Sequence, residues 1–241
     1  MKLYLYCLID EDASIENVIY NGENEGISGT PVTLLCLDDF ALLVSDFAGA
    51  SVAVTRDNVL KHAAIVGSLL PFTTPLPFRF GTLATEAELD SYLTARSKAL
   101  QAKFEVVRGC VEMNVKIIWD RKWTEEKSEV EMKPGTAFLR EKKREIFGSE
   151  ARSAEAKRIA GWLEERVGES VRETRINTNT TDKLLVTAAH LVERGAIDRY
   201  RSAVKNAQAD RPELHFLASG PWPPYSFANI DLEFKTQFGV S

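Results

Sequence analysis

The sequence predicts an α+β protein of two domains: an N-terminal α+β domain, then a C-terminal ferredoxin-like (βαββαβ) domain with a C-terminal tail. Two observations carry that reading. Strand-like runs and helical stripes alternate along the chain, and after Gly109 they fall in the order β-α-β-β-α-β. The length of 241 residues also suits two units of about 100 residues each. The expected spans are 1–107, 108–227 and, for a tail packing on the domains, 228–241.

Leu3 to Ile9 is apolar on both faces, as a central strand requires. Asp10 to Thr30 is polar and carries Asn21-Gly22 and Ser28-Gly29, the composition of a short helical turn and a loop. Val32–Leu37 and Ala41–Ser45 flank Asp38-Asp39-Phe40 and predict a hairpin. Thr55 is a candidate N-cap; behind it Val59, Ala63, Val66 and Leu70 recur at helical spacing until Pro71 ends the run. His62 lies beside that stripe and, with no second metal ligand near it in sequence, reads as a structural histidine. Phe78–Leu83 reads as a strand with Arg79 facing away from its two phenylalanines, placed either to bind an anion or to fix the loop. Thr85-x-x-Glu88 matches a capping box, and Leu89, Leu93, Leu100, Phe104 and Val107 supply one apolar helix face.

Beyond Gly109, Val111, Met113, Val115, Ile117 and Trp119 alternate with Glu112, Asn114, Lys116 and Ile118, the pattern of a half-buried strand. A charged loop follows from Asp120 to Lys133, then a helical tract from Pro134 to Val167 with Ala156, Ile159, Ala160, Leu163 and Val167 in register. The mixed charges of Arg140–Glu145 suit a solvated helix face. Ser170–Ile176 is polar and belongs at a sheet edge, Asn177–Asp182 is a turn, and Leu184–Val192 is apolar enough to be central. Ile197, Tyr200, Val204 and Ala207 form a short amphipathic helix, and Leu214–Gly220 is the closing strand. Ile230, Leu232 and Phe234 alternate in the tail, with Phe238 beyond.

Several chemistries are absent from the sequence. No glycine-rich phosphate loop, nucleophile elbow or zinc-spaced Cys/His cluster occurs, so no cofactor, metal or catalytic residue is expected. Cys7, Cys36 and Cys110 are odd in number and far apart, and read as buried reduced thiols. A net charge of -5 argues against general nucleic-acid binding, and no apolar stretch is long enough for a membrane span or a secretory leader. The reading is cytoplasmic. The best constellation for chemistry is His190 with His215, on strands of one predicted sheet.

The closing run is Gly220-Pro221-Trp222-Pro223-Pro224-Tyr225-Ser226-Phe227. Its prolines stop a strand or confine it to an edge, and aromatics on so stiff a backbone lose little entropy on docking. Trp222, Tyr225 and Phe227 are therefore candidate partner contacts; packing between the two domains is the other reading open for Trp222 and Phe227. Together with Leu76-Pro77-Phe78-Arg79-Phe80-Gly81-Thr82, Val115–Asp120 and Lys2–Tyr6, this octapeptide resembles the gas vesicle protein F/L family, leaning to its F branch. His62 falls where that family commonly has a histidine.

The resemblance implies a minor, non-catalytic structural or assembly protein of gas vesicles, the hollow shells that give buoyancy to cyanobacteria and other prokaryotes. It implies binding to the hydrophobic major shell protein, and to other gas vesicle proteins, on the gas-facing side of the vesicle. Arg79, Gly81, Gly220, Pro221, Pro223 and Pro224 are the structural positions of the shared motifs. A ligand-binding or catalytic pair of ferredoxin-like domains, using His190 and His215, is the alternative.

Overall fold

The structure, a computed structural model, describes residues 1–10, 25–37, 39–119, 134–178, 184–228 and 230, with side chains described throughout except at 134–149 and 151. The expected charged loop Asp120–Lys133, the Arg140–Glu145 side chains, most of Asp10–Thr30 and of the Asn177–Asp182 turn, and Leu232, Phe234 and Phe238 lie outside the described residues.

The chain forms two compact units, Met1–Glu112 with Pro221–Ser241, and Met113–Gly220. The second is inserted in sequence within the first. The sequence reading put the break near Gly109 and kept the closing motif with the second domain. Side-chain bonds from Lys103 and Glu112 to residues 226–228 account for the difference, because they tie the motif to the first unit.

In the first unit, β1 (Lys2–Asp10) is the central strand, buried without interruption from Tyr4 to Ile9. The sheet order is β2 (Val32–Leu37), β3 (Phe40–Phe47), β1, β4 (Leu76–Pro77), with β5 (Leu83–Ala84) also paired to β1. β2 and β3 form the expected antiparallel hairpin. Cys7 and Cys110 are buried, but Cys36, on the edge strand β2, is exposed, contrary to the reading of all three as buried.

Two helices pack on this unit. In α1 (Arg56–Gly67) the Thr55 side chain accepts from the Asn58 N–H, as an N-cap should. Its buried face is His62, Ile65 and Val66, continued by Leu69, while Val59 is 40% exposed. The stripe expected from Val59, Ala63, Val66 and Leu70 is thus rotated, because α1 is apolar on more than one face and periodicity alone cannot choose between them. In α2 (Glu86–Val107) the capping box is formed in both directions, and all five predicted apolar residues are buried. Each such burial stabilises by roughly 1.5–3 kcal/mol.

Residues 78–82 are not the predicted strand. They turn between β4 and β5, with Gly81 at φ 84° and Thr82 N–H donating to the Arg79 carbonyl at 3.2 Å. Phe78 is buried and Arg79 exposed, so the opposition of those two side chains survives the change of backbone.

The second unit follows the ferredoxin-like plan. Its sheet runs β7 (Val171–Asn177), β8 (Leu184–Glu193), β6 (Cys110–Ile118), β9 (His215–Trp222). The first and third strands of the βαββαβ order are therefore central, and the polar β7 is an edge. Helix α3 (Pro134–Val167) buries Ala156, Ile159, Ala160, Leu163 and Val167 as expected, and α4 (Ile197–Asp210) buries Tyr200, Val204 and Ala207. Strand β9 continues past Gly220 through Pro221 to Trp222 at the edge of the sheet, the second of the two outcomes its prolines allow; at an edge, proline removes no ladder bond.

Candidate functional site

After β9, the Pro223-Pro224 pair is buried and leads into a single helical turn, α5 (Tyr225–Ala228). Tyr225 N–H donates to the Pro223 carbonyl at 2.7 Å, and Phe227 and Ala228 N–H both donate to that of Pro224, at 3.0 and 2.8 Å. Two prolines with φ fixed by their rings preset this turn. Gly220, at φ 120°, supplies backbone that an L side chain rarely adopts.

Both ends of α5 are met by charge of the favourable sign. The Glu112 carboxylate on β6 accepts from Ser226 N–H at 2.7 Å and from the Ser226 hydroxyl at 2.8 Å. The Lys103 ammonium on α2 donates to the Ala228 carbonyl at 2.6 Å. Acid near the amino end and base near the carboxyl end complement the peptide dipoles of the turn. Glu112, expected on the exposed face of β6, is only 3% exposed, and its bonds to Ser226 are what allow a carboxylate to sit there. The turn packs on α2 and on β4, so Leu76–Pro77 and Tyr225–Ala228, far apart in sequence, meet within the first unit.

The candidate aromatics divide. Phe227 is 5% exposed and is a packing residue, whereas Trp222 and Tyr225 stay 46% and 39% exposed. No charged residue occurs in sequence between Glu213 and Asp231. The Tyr225 hydroxyl is turned inward: burial raises its pKa, with smaller contributions from Cys7 and Glu112, so Trp222 is the more open of the two rings.

Gly81 also joins a buried polar chain. Its N–H donates to the Tyr4 hydroxyl at 3.2 Å, and that hydroxyl lies 2.8 Å from His62 Nδ1. The Tyr4 hydroxyl, with one proton and two lone pairs, accepts from Gly81 and pairs with Nδ1, while His62 Nε2 is buried without a partner at hydrogen-bond geometry among the described residues. Burial pushes the His62 pKa down to about 4, opposed by a backbone hydrogen bond at Phe78. Next to it, Tyr6 Oη accepts from Ile27 N–H at 2.8 Å and lies 3.1 Å from Ser45 Oγ.

The second unit repeats the device. His190 Nδ1 is 2.7 Å from Tyr200 Oη, and burial again lowers the histidine to about 4. His190 is fully buried, while His215 is exposed on β9, with β6 between their strands. The constellation expected from these two histidines does not form. Among the described residues no group of three metal-ligating side chains occurs, and no helix is long and apolar enough to cross a membrane.

Sequence reasoning missed Glu112, Lys103 and Ser226. The available signal was Glu112 itself, a lone carboxylate between Val111 and Met113 in the most regular strand of the chain.

The fold and its corner define a two-unit α+β protein whose inserted ferredoxin-like unit returns through a proline-framed aromatic turn. Solved structures share that fold: gas vesicle protein GvpF from Microcystis aeruginosa superposes with TM-score 0.76 at 20% identity over 95% of this chain and 99% of that one. GvpF from Anabaena sp. PCC7120 gives 0.78 at 20% identity, over 95% and 97%. Gas vesicle protein L2 of Halobacterium salinarum is 26% identical over 93% of this chain and 90% of its own length, and gas vesicle protein F1 of that organism 24% over 99% and 98%. The pattern of the family described as gas vesicle synthesis protein GvpL/GvpF matches residues 2–229. The chain belongs to that family.

Proposed function

We propose that this chain is a non-catalytic structural and assembly protein of gas vesicles that binds the hydrophobic major shell protein and assists vesicle formation, acting in the cytoplasm and on the gas-facing side of the vesicle with other gas vesicle proteins. The observation that carries the contact is the corner itself. Trp222 and Tyr225 stand exposed on a frame held by buried prolines and by Glu112, within a run free of charge. A strongly apolar subunit needs its surface covered before incorporation, and preordered aromatics cover it at small entropic cost. Phe227, being buried, supports the frame and drops out of the contact set.

The test is co-purification of the shell protein with the Trp222→Ser/Tyr225→Ser double variant. Retained melting temperature with lost co-purification supports the contact. A Tm lowered by several degrees on Trp222→Ala marks a packing residue instead, and unchanged stability with unchanged co-purification sinks the proposal.

A further inference from the structure

Of the edges of the two described sheets, all but one are blunted against further pairing. In the first sheet one edge is made by β4 and β5, each two residues long. In the second, β7 carries Arg172, Glu173 and Arg175 and a register shift between Val171 and Glu173, while β9 is interrupted by Gly220, at φ 120°, and by Pro221. Brevity, charge, bulges and proline are the devices by which proteins protect unpaired backbone.

β2 uses none of them. Its residues, Val32–Leu37, include no charge and no proline, and their pairing with β3 runs from Val32↔Ser45 to Leu37↔Phe40 without a shift. Among the described residues β2 pairs with β3 alone, so every second N–H and C=O of the strand faces away from the sheet. Both of its faces are open as well. Leu34 and Leu35 point to opposite sides and are both half-buried, although their partners on β3, Leu43 and Leu42, are 1% and 0% exposed. A further strand would cover the outer flank of each leucine.

Charge at the ends selects the occupant. Asp38 and Asp39 follow β2, and Glu25 is bridged to Pro31 just before it. Glu25 already lies 3.7 Å from Lys61, whereas the Asp39 carboxylate meets only the neutral amide of Gln101 among the described residues. A second copy of β2 would set acid against acid in either orientation: Asp38-Asp39 against Glu25 when antiparallel, against its own counterpart when parallel. We propose that β2 takes up an extended segment of another protein, apolar on both faces and with a basic residue at the end that lies beside Asp38-Asp39. Main-chain bonds to β2 supply the affinity, and the leucines and the acidic turn set the choice. This edge has its own partner chemistry, whatever the aromatic corner binds.

The test titrates the full chain, kept reduced, with short peptides of Val and Ile between terminal lysines, read by fluorescence anisotropy and by hydrogen exchange of the β2 amides. The lysine-ended peptide should bind saturably and slow exchange within Val32–Leu37. Methylation of alternate peptide nitrogens, which removes donors and leaves the side chains, should abolish binding. Glutamate in place of the lysines should weaken it about tenfold. The Thr33→Lys/Cys36→Lys double variant, at two exposed positions, should weaken it as much with Tm unchanged; if its Tm falls, the methylated peptide decides. Absent binding, binding that leaves β2 exchange unchanged, or binding indifferent to methylation overturns the proposal. So does equal binding of the glutamate-ended peptide, or sedimentation of the chain alone as a dimer that the double variant abolishes, which would assign the edge to a second copy.

Discussion

Glu112 and Ser226 are bonded twice across a long stretch of sequence: one carboxylate oxygen accepts the Ser226 amide at 2.7 Å and the other its hydroxyl at 2.8 Å. Hydrogen bonds to a charged acceptor contribute about 1.5–3 kcal/mol. Ser226→Ala should therefore cost about 1–2 kcal/mol, since the amide bond remains, and Glu112→Ala about 2–4 kcal/mol, since the amide and hydroxyl both lose their acceptor. Urea titration of both variants checks the order. Equal stability of Glu112→Ala and the parent would mean that the carboxylate does not hold the turn.

The two buried histidines should make the protein acid-sensitive. His62 and His190 are 3% and 0% exposed, and burial lowers each to about 4 from an ordinary 6.5. The unfolded chain thus binds protons that the folded one refuses. Their contribution is fully present above about pH 6.5 and is lost as pH falls toward about 4, at up to ~1.4 kcal/mol per pH unit for each residue. Denaturation measured at pH 7, 6 and 5 should show that slope, reduced by one residue's share in His190→Gln. A slope unaffected by the substitution would remove His190 from the account.

Gly26 and Gly81 should fail differently. A Cβ on Gly26 would stand 2.6 Å from Tyr6 Oη and 2.9 Å from both Ser45 Oγ and the Thr30 carbonyl. Gly26→Ala must displace a buried tyrosine and should cost about 1–3 kcal/mol. Nothing lies within 4 Å of a Cβ on Gly81, so Gly81→Ala carries only the strain of φ 84°, about 1 kcal/mol. Asparagine, which tolerates that backbone, should recover part of the loss at residue 81 but not at 26.

Thr85→Ala removes the side-chain acceptor of the Glu88 N–H at 3.3 Å and should cost about 1 kcal/mol, while Thr85→Ser should be nearly neutral. Thermal melts of the pair decide this.

The legible parts of the fold were those in which local signals agree. α2 could be read completely because its capping box and its apolar stripe specify the same start and the same face. The order of the second sheet was legible because the polarity of β7 and the apolarity of β8 match an edge and a centre. The stripe of α1 was read partly rotated: Val66 is buried as expected, but His62 and Ile65 share its side while Val59 is exposed. The candidate site was legible only in its covalent half. Pro221, Pro223 and Pro224 announce a stiff corner, but Glu112, Lys103 and Tyr4 reach their partners through space, across separations no window of sequence spans.

The placement of Glu112 has a consequence for the order in which this protein is made. Synthesis runs from Met1 onward, so the first unit emerges nearly whole, then waits while the inserted unit of Met113–Gly220 is built. Through that interval the Glu112 carboxylate, Lys103 and the surface that receives α5 have no turn to hold. The N-terminal unit is thus finished last, closed only when Ser226 and Ala228 reach Glu112 and Lys103.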